Sequence, residues 1–538
     1  MFRRGWHCGI LFDWHTVVGH RPPALPRRMT DLPQRILSIR SQGNDQARFM
    51  LALAGLWLIR LVVAAWTPLA FDEAYYWLWS KNLAGGYYDH PPMVAILIRL
   101  GTSVAGDTQL GVRLASVLLA IATTWAVFKS AMIFWADSRL ARRAALLFNL
   151  MLLVCAAGTL ATPDTGLLAG TAFALFFLAK LGQTGRGFWW LGVGAACGAA
   201  LLSNYIALFL GAEILIWLLI TPAMRRWFFS PWLYLGGLTA LVLFLPVLSW
   251  NAAHDFASFR YQLAGRLLSH VMTLRFPMDM ILGQVGLATP FILSLSAAGL
   301  FALYRRGRNE PGTSLIACMI GPPVVALLIH SLQERVNANW LLPVYPALVL
   351  AAAVGAGTSG QTGSWGRWMA ICRRYAAPVA AAIILIASIE CVFLPWRLPD
   401  DPIAAKLGYG WPQLGKEIDG VIAQTGARGL LTSDYRTTAW LAFYLPRKIE
   451  IVQVTERIRW ANAPPPSAGL LTGPLLYFPS GNLNMQVLAR FFGRVTLVST
   501  LPRGDPASPF DLYPIYLLEE PKADAQTLLS LYPYPNWD

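Results

Sequence analysis

Long apolar runs separated by short polar segments occupy the chain from residue 49 to residue 393. Runs of about 17 to 25 residues have the length that an α-helix needs to cross a bilayer. The run at residues 93–106 is short and contains Arg99, so we expect it to lie at the interface or to insert only partly. The pattern predicts about eleven spans, although ten or thirteen also fit it, at residues 49–66, 110–135, 144–160, 167–181, 188–203, 206–220, 232–250, 280–304, 315–331, 340–356 and 376–393.

A different pattern begins at Pro395, where prolines, glycines and charges of both signs appear. A segment of about 140 residues is large enough to form its own core. Short mixed runs predict strands at residues 429–433, 449–454 and 474–478, and helices at residues 411–424 and 438–444.

These patterns predict a polytopic α-helical membrane protein with a small C-terminal α/β domain. We expect residues 1–48 to form a basic, disordered cytoplasmic tail, in which Met29 is an alternative start. Residues 49–396 would form the transmembrane domain, with a first outer loop at residues 67–109. Residues 397–538 would form the α/β domain.

Composition and charge agree with this class of protein. Of the 538 residues, 56% are hydrophobic and 13% are charged, which is more apolar than a water-soluble core can absorb. The net charge of +15 comes mainly from arginine clusters between the apolar runs: Arg139, Arg142, Arg143, Arg225, Arg226, Arg305, Arg306, Arg308, Arg367, Arg373 and Arg374. If the spans alternate, all of these lie on one side, as the positive-inside rule requires of the cytoplasmic side. The N-terminus would then be cytoplasmic and the C-terminal segment outside. No continuous basic face with interleaved aromatics is present, so nucleic acid is not an expected partner.

The segment FDEAYYWLWSKNLAGGYYDHPP at residues 71–92 concentrates ionisable groups directly after the first span. Asp72 and Glu73 could cap the helix that follows, where carboxylates are favoured. Alternatively, a carboxylate beside an apolar wall can act as a general base or bind a divalent cation. Asp89 and His90 precede a Pro-Pro pair, which is compatible with a simple turn or with ligands for a divalent metal.

Three further loops on the same predicted side carry candidate residues. Asp164 is an isolated acid between two spans, where it is either functional or a helix cap. Arg260 and Gln262 lie in the outer loop at residues 251–279, where arginine could meet phosphate or lipid headgroups. Arg335 and Asn339 precede a later span as candidates for contact with phosphate or sugar.

The order of these motifs resembles the GT-C integral membrane glycosyltransferases. It is most similar to the bacterial branch related to protein O-mannosyltransferases and to the aminoarabinose and galacturonic acid transferases of lipid A. The resemblance covers about residues 49–446, and its motifs are Asp72-Glu73, Asp89-His90-Pro91-Pro92, Thr162-Pro163-Asp164, the stretch at residues 250–262 and Phe443-Tyr444-Leu445-Pro446.

The resemblance implies an inverting transferase of the bacterial inner membrane. It would move a sugar from a polyprenyl phosphate to an acceptor such as lipid A, lipopolysaccharide core, or another envelope glycan or protein. Asp72 would be the main catalytic acid, with Glu73 and Asp164 as further catalytic acids. Asp89 and His90 would position the acceptor or a cation, and the donor would meet Arg260, Gln262, Arg335 and Asn339. The cofactor is unknown, with a divalent cation as one option.

Two positions depart from relatives of this type. His90 replaces the lysine of aminoarabinose transferases, which favours a mannosyl or galacturonosyl enzyme. Asn204 replaces a lysine of some relatives and cannot supply positive charge to the donor phosphate. The sequence leaves open which sugar, which acceptor and which isoprenoid length are used. A transporter or lipid-carrier flippase is the alternative from another class, and an inactive accessory subunit is a third.

Overall fold

The computed structural model describes residues 31–264, 272–307, 310–358, 360, 362–394, 403, 406–479 and 485–530. The predicted tail at residues 1–48 therefore lies largely outside the described residues, and residues 31–48 of it form the beginning of the first helix. The α-helices are α1 Asp31–Trp66, α2 Phe71–Lys81, α3 Met93–Ala105, α4 Gln109–Trp135, α5 Ser138–Leu150, α6 Leu152–Ala157, α7 Pro163–Thr184, α8 Trp189–Leu201, α9 Leu208–Ile220, α10 Pro231–Ala253, α11 Ala257–Ala264, α12 Arg275–Ala288, α13 Pro290–Gly307, α14 Pro311–Ser331, α15 Tyr345–Gly357, α16 Gly363–Phe393, α17 Trp411–Thr425, α18 Tyr435–Tyr444 and α19 Met485–Phe491.

Short 3-10 helices join several of these elements. They lie at Tyr205–Ala207, Pro222–Phe229, Ala338–Val344, Arg457–Trp460, Leu470–Thr472 and Ala523–Leu529.

Seven helices in the described part of the chain are long and apolar enough to cross a membrane, and the number is nine if two bent pairs each count as one span. The eleven spans stay a prediction, since two of the predicted runs are shorter helices. The run at residues 144–160 is interrupted at Met151, whose extended backbone separates α5 from α6. The run at residues 188–203 forms the 13-residue helix α8.

Proline causes both sharp bends between apolar helices. The chain turns by 113° before Pro222 and by 99° before Pro290. Proline lacks the backbone N–H that would continue the helix, and its ring disfavours helical backbone in the residue before it. Thr289, the residue before Pro290, has a non-helical backbone with a φ of +66°. The sequence of the run at residues 280–304 predicted one straight span, whereas the structure has the bent pair α12 and α13.

Glycine allows α13 and α15 to touch through their backbones. A methyl group on Gly299 would lie 1.8 Å from the carbonyl oxygen of Ala351, and one on Gly355 would lie 2.0 Å from that of Leu295. Any side chain at these two positions would push the helices apart. Small residues at helix crossings are the usual way in which membrane helices gain close packing.

The C-terminal segment contains a five-stranded sheet of β1 Gly429–Thr432, β2 Glu450–Gln453, β3 Leu475–Phe478, β4 Phe492–Asp505 and β5 Ser508–Pro521. The strand order is β2-β1-β3-β5-β4. Strand β1 is parallel to β2 and β3, while β5 is antiparallel to β3 and β4. The three short strands and the helices α17 and α18 were predicted from the sequence, but the long hairpin of β4 and β5 was not.

One apolar core is shared by helix α2 and the C-terminal segment. The buried aromatic residues Tyr75, Trp77 and Trp79 of α2 belong to the same cluster as Trp411 and Trp440. The residues from Gly55 to Asp538 accordingly form one compact unit rather than two. The C-terminal segment therefore packs directly on the loop that the sequence marked as the candidate site.

Candidate active site

The chain entering α2 is held by the C-terminal segment. The backbone N–H of Leu69 donates to the hydroxyl of Tyr444 at 2.7 Å. The carbonyl oxygen of Leu69 accepts from the indole N–H of Trp440 at 3.0 Å and from the backbone N–H of Gly408 at 2.9 Å. These bonds satisfy both backbone groups of Leu69 and fix the point at which α2 begins.

Glu73 is buried and fully occupied by protein donors. Its Oε1 accepts from Arg113 Nε at 2.7 Å and from the backbone N–H of Ala161 at 2.9 Å. Its Oε2 accepts from Arg113 Nη2 and, at 2.9 Å, from the backbone N–H of Ala70 at the start of α2. Both side chains of this ion pair are inaccessible to solvent. Glu73 therefore caps α2, as one of the two interpretations of its sequence position predicted, and it ties α2 to α4 and to the turn before α7.

Asp72 lies in the first turn of α2 and remains able to accept further bonds. The hydroxyl of Tyr435 donates to its Oδ1 at 3.4 Å, a long contact. Burial, and then the nearby charge of Asp89, raise the pKa of Asp72 to about 6, although Tyr435 and Arg436 act in the opposite direction. A carboxylate with this pKa is mostly ionised at neutral pH and more basic than an exposed aspartate, as a general base requires.

Asp434 places Tyr435 and Arg436 beside Asp72. Its carboxylate accepts from the backbone N–H groups of Arg436 and Thr437, so it caps α18 and makes the helix begin three residues earlier than the sequence suggested. The guanidinium of Arg436 lies 5.0 Å from the centre of the Phe71 ring. The first turn of α18 thus faces the first turn of α2.

The turn at Gly85 and Gly86 depends on glycine because α10 approaches it closely. A methyl group on Gly85 would lie 2.5 Å from the carbonyl oxygen of Pro246, and one on Gly86 would lie 3.2 Å from the Trp250 ring. Asn462 connects these parts: its amide donates to the carbonyl oxygen of Gly86 at 2.9 Å and accepts from the Trp250 indole at 2.9 Å. The turn therefore has one defined position next to α10.

Asp89 is held on both sides of its carboxylate and on its backbone. Its Oδ2 accepts from the Tyr75 hydroxyl at 2.8 Å, and its Oδ1 accepts from the guanidinium of Arg459. Gln262 donates to its carbonyl oxygen at 2.7 Å. Gln262 thus binds the backbone of this loop, while its predicted contact with the donor stays a prediction, and Asp89 is partnered by an arginine from the C-terminal segment.

Arg459 is surrounded by aromatic rings from three parts of the chain. Its guanidinium lies 4.7 Å from the ring centre of Tyr435, 5.1 Å from that of Tyr88 and 5.6 Å from that of Tyr261. Guanidinium groups are attracted to the faces of such rings. Since Tyr435 also contacts Asp72, Arg459 connects the surroundings of Asp72 with those of Asp89.

Asp164 pairs with Asn339, a contact that the sequence did not predict. The Asn339 amide donates to Asp164 Oδ2 at 2.8 Å. Asp164 lies in the first turn of α7, and Ala161 in the preceding turn donates to Glu73. The turn before α7 is therefore bonded directly to α2 through Glu73, whereas Asp164 itself bonds to Asn339.

The remaining predicted residues have less direct relations to Asp72. His90 follows Asp89, and its ring centre lies 6.2 Å from that of Tyr76. Arg260 on α11 and Arg335 before the 3-10 helix at residues 338–344 are both exposed. Within the described part of the chain, no three His, Cys, Asp or Glu side chains are grouped as ligands for a metal ion.

Tyr435, Arg436 and Arg459 were missed at the level of sequence. They lie in the short stretches DYR and RIRW, about 370 residues after the acids that they contact. The signal in the sequence is that a basic residue stands next to an aromatic one in both stretches. Surface loops often contain such neighbours, so this signal does not identify a site.

The chain is similar in sequence and in fold to several known proteins. Residues 89–250 match the family described as dolichyl-phosphate-mannose-protein mannosyltransferase. The crystal structure of ArnT from Cupriavidus metallidurans in the apo state covers 88% of this chain and 98% of its own, with a TM-score of 0.59 and 18% identity. The chain has the GT-C fold. The resemblance seen in its motifs is thereby confirmed.

Two curated relatives show sequence similarity over long stretches. The lipid A galacturonosyltransferase RgtD of Rhizobium johnstonii is 30% identical over 303 residues, which is 55% of this chain and 62% of the relative. The undecaprenyl phosphate-alpha-4-amino-4-deoxy-L-arabinose arabinosyl transferase of Pseudomonas aeruginosa is 25% identical over 435 residues, 69% of this chain and 76% of the relative. The match to RgtD thus spans less than two thirds of that protein's length.

Proposed function

We propose that this chain is an inverting glycosyltransferase that takes a sugar from a polyprenyl phosphate and transfers it to an envelope acceptor. The observation that carries the proposal is the state of Asp72. Its carboxylate can accept a further hydrogen bond, its pKa is raised to about 6, and it lies where the first turns of α2 and α18 face each other. The names of the curated relatives supply the class of donor, since one of them acts on an undecaprenyl phosphate sugar.

In the proposed reaction, Asp72 removes the proton from the acceptor hydroxyl while the oxygen attacks the anomeric carbon. The bond from that carbon to the phosphate oxygen breaks, and its electron pair leaves with the phosphate. The phosphate dianion is a good leaving group, so the protein's main tasks are to deprotonate the nucleophile, to neutralise the departing charge and to align the two substrates. Glu73 then acts by positioning α2, because its oxygens are already occupied by Arg113 and by backbone donors.

Arg436 is the best-placed cation for the anionic part of the donor. Its guanidinium is exposed, lies over the Phe71 ring and exerts its charge on Asp72. Arg459 is less suitable because Asp89 and Glu456 already bind it. Arg260 and Arg335, which the sequence suggested for this role, are exposed and could approach the donor at its lipid end.

We infer a uronic acid donor and a lipid A or lipopolysaccharide acceptor. The inference is supported by the similarity to the lipid A galacturonosyltransferase and by His90, which stands where aminoarabinose transferases have lysine. In this proposal the protein spans the bacterial inner membrane with its arginine clusters and N-terminus in the cytoplasm. The site and the C-terminal α/β segment then face the periplasm. Asp89 and His90 would position the acceptor, since the guanidinium of Arg459 takes the place of a cation at the Asp89 carboxylate.

Transfer of labelled sugar from a polyprenyl phosphate donor by the purified protein tests the proposal. Asp72→Asn should reduce the rate by at least about a hundredfold, since general bases contribute roughly 10² to 10⁴. Asp524→Asn is the matched control, because Asp524 is exposed in the 3-10 helix Ala523–Leu529. Its activity should be unchanged. Full activity of Asp72→Asn would contradict the role given to Asp72.

Mass spectrometry of lipid A and core polysaccharide, with and without the gene, tests the substrates. Loss of one uronic acid would identify both donor class and acceptor. Loss of a neutral hexose would agree with the transferase activity but would contradict the inference of a uronic acid donor. An unchanged envelope, together with an inactive purified protein, would favour a transporter or flippase.

A further inference from the structure

Arg60 is a buried arginine on the apolar helix α1. It lies in the segment Asn44–Trp66, which is long and apolar enough to span a membrane. Only 1% of the residue is accessible. None of its three guanidinium nitrogens has a hydrogen-bond partner among the residues that the structure describes. Arg60 precedes Trp66 by six positions, which is about 9 Å of helix, so the guanidinium lies below the end of α1 that leads to Asp72.

A small cavity adjoins this guanidinium. Its walls come from α4, α5, α6 and α7, and its polar lining besides Arg60 consists of Thr123, Asn149 and Thr165. The cavity has a volume of about 10 Å³, which is room for about one water-sized particle. Phosphate is too large for such a space, so an anion bound here would have to belong to the single-atom class.

Gly158 lies between α4 and the guanidinium. A methyl group at this position would lie 2.9 Å from the Ala120 side chain, which is too close, and 3.4 Å from Arg60 Nη1, which is ordinary contact. The backbone of Gly158 is within the range that alanine adopts, with φ near −91°. Glycine is therefore required here by the close approach of α4, and a methyl group would also narrow the space beside Arg60.

The polar wall does not neutralise the guanidinium. Thr123 donates to the carbonyl oxygen of Leu119, and Thr165 donates to that of Ala157. No acid is among the residues that line the cavity. An arginine stays protonated in proteins, and an uncompensated charge at membrane depth is costly. Within the described part of the chain, no acid pairs with this guanidinium.

We propose that Arg60 and this cavity form an internal binding site for one small monovalent anion of the chloride class. The anion accepts bonds from the guanidinium and replaces the missing acid. The site lies under the turn between α6 and α7, which Thr165 anchors to Ala157 and from which Ala161 donates to Glu73. An occupied site thus stabilises the support of α2 without touching substrate. The proposal does not depend on the transferase activity.

Bromide and thermal unfolding test the site in the full-length protein in detergent. Crystals grown in bromide should show an anomalous peak beside Arg60. Chloride or bromide should raise the unfolding temperature above that in gluconate of equal ionic strength, by about 2 to 4 °C at roughly 100 to 1,000 times the dissociation constant. Gluconate is the reference because it cannot enter so small a cavity.

Variants separate this site from general salt effects. Arg60→Met removes the charge and Gly158→Ala fills the space, and both should abolish the difference between halide and gluconate. Arg139→Met is the matched control, since Arg139 is exposed on α5, and it should keep the difference. If Arg60→Met does not fold, the bromide peak and the Gly158→Ala variant still test whether an anion binds beside Arg60.

Equal unfolding temperatures in halide and gluconate, with no bromide peak, would mean a water-filled cavity and would overturn the proposal. A halide effect that persists in Arg60→Met would place the anion elsewhere and would also overturn it.

Discussion

Asp72→Asn should make the protein more stable while it makes it inactive. Burial, followed by the charge of Asp89, raises the pKa of Asp72 from its ordinary value of 3.8 to about 6. The folded protein therefore binds this proton more tightly than the unfolded chain does, and stability falls as pH rises from 3.8 to about 6. Asparagine carries no charge, so the variant avoids this loss.

The size of the effect follows from the shift in pKa. About two pH units correspond to roughly 3 kcal/mol as an upper limit. Asp72 is partly accessible to solvent, which screens charge, so we expect about 1 to 2 kcal/mol. For a chain of this length, that equals about 1 to 2 °C in unfolding temperature. The gain should be complete above about pH 6 and should disappear below the ordinary pKa of an aspartate.

Thermal unfolding in detergent between about pH 4 and pH 8 measures this gain, and sugar transfer is followed on the same samples. The rate of the unmodified protein should fall as pH decreases through about 6, because the base becomes protonated. Asp524→Asn again provides the control, since Asp524 is exposed. A variant that is less stable at pH 8 than the unmodified protein would refute the argument from burial.

Three further substitutions test the neighbouring contacts. Tyr435→Phe removes a hydroxyl that lowers the pKa of Asp72, so the acidic limb of the pH–rate profile should move to higher pH; an unmoved limb would contradict the contact. Glu73→Gln leaves the buried Arg113 without its counter-charge and should cost about 3 to 5 kcal/mol, seen as a lower unfolding temperature and yield. Asn339→Leu removes the amide donor of the acid on α7 and should lower stability by about 1 to 3 kcal/mol, whereas unchanged unfolding would argue against that bond.

Local patterns predicted the elements well because each carries its own signal. The strands at residues 429–433, 449–454 and 474–478 were found within one or two residues, since short apolar runs bounded by turn residues mark buried strands. The breaks at Pro290 and Met151 were missed because hydropathy does not record the direction of a helix axis. The β4–β5 hairpin was missed because Pro502 and Arg503 disturb its alternation.

The acids of the candidate site were predictable from the sequence, but the residues of the C-terminal segment that contact them were not. Asp72 and Asp89 stand out because charge is rare beside a long apolar run. Their partners Tyr435 and Arg459 are separated from them by 363 and 370 residues, and no local pattern links such distant positions. The role of Glu73 was also ambiguous, since a carboxylate in the first turn of a helix suits both capping and catalysis until the buried arginine is seen.

The bonds to Leu69 also impose an order on how the protein is made. Trp440 lies 371 residues after Leu69 and Tyr444 lies 375 residues after it. At about 5 to 20 residues per second, a ribosome needs roughly 20 to 75 s to produce the intervening chain. During this time, the aromatic residues of α2 lack the C-terminal segment that packs on them in the folded protein. Assembly of the site is therefore among the last events of biosynthesis, and a chain that ends before α18 would insert its helices yet never complete the surroundings of Asp72.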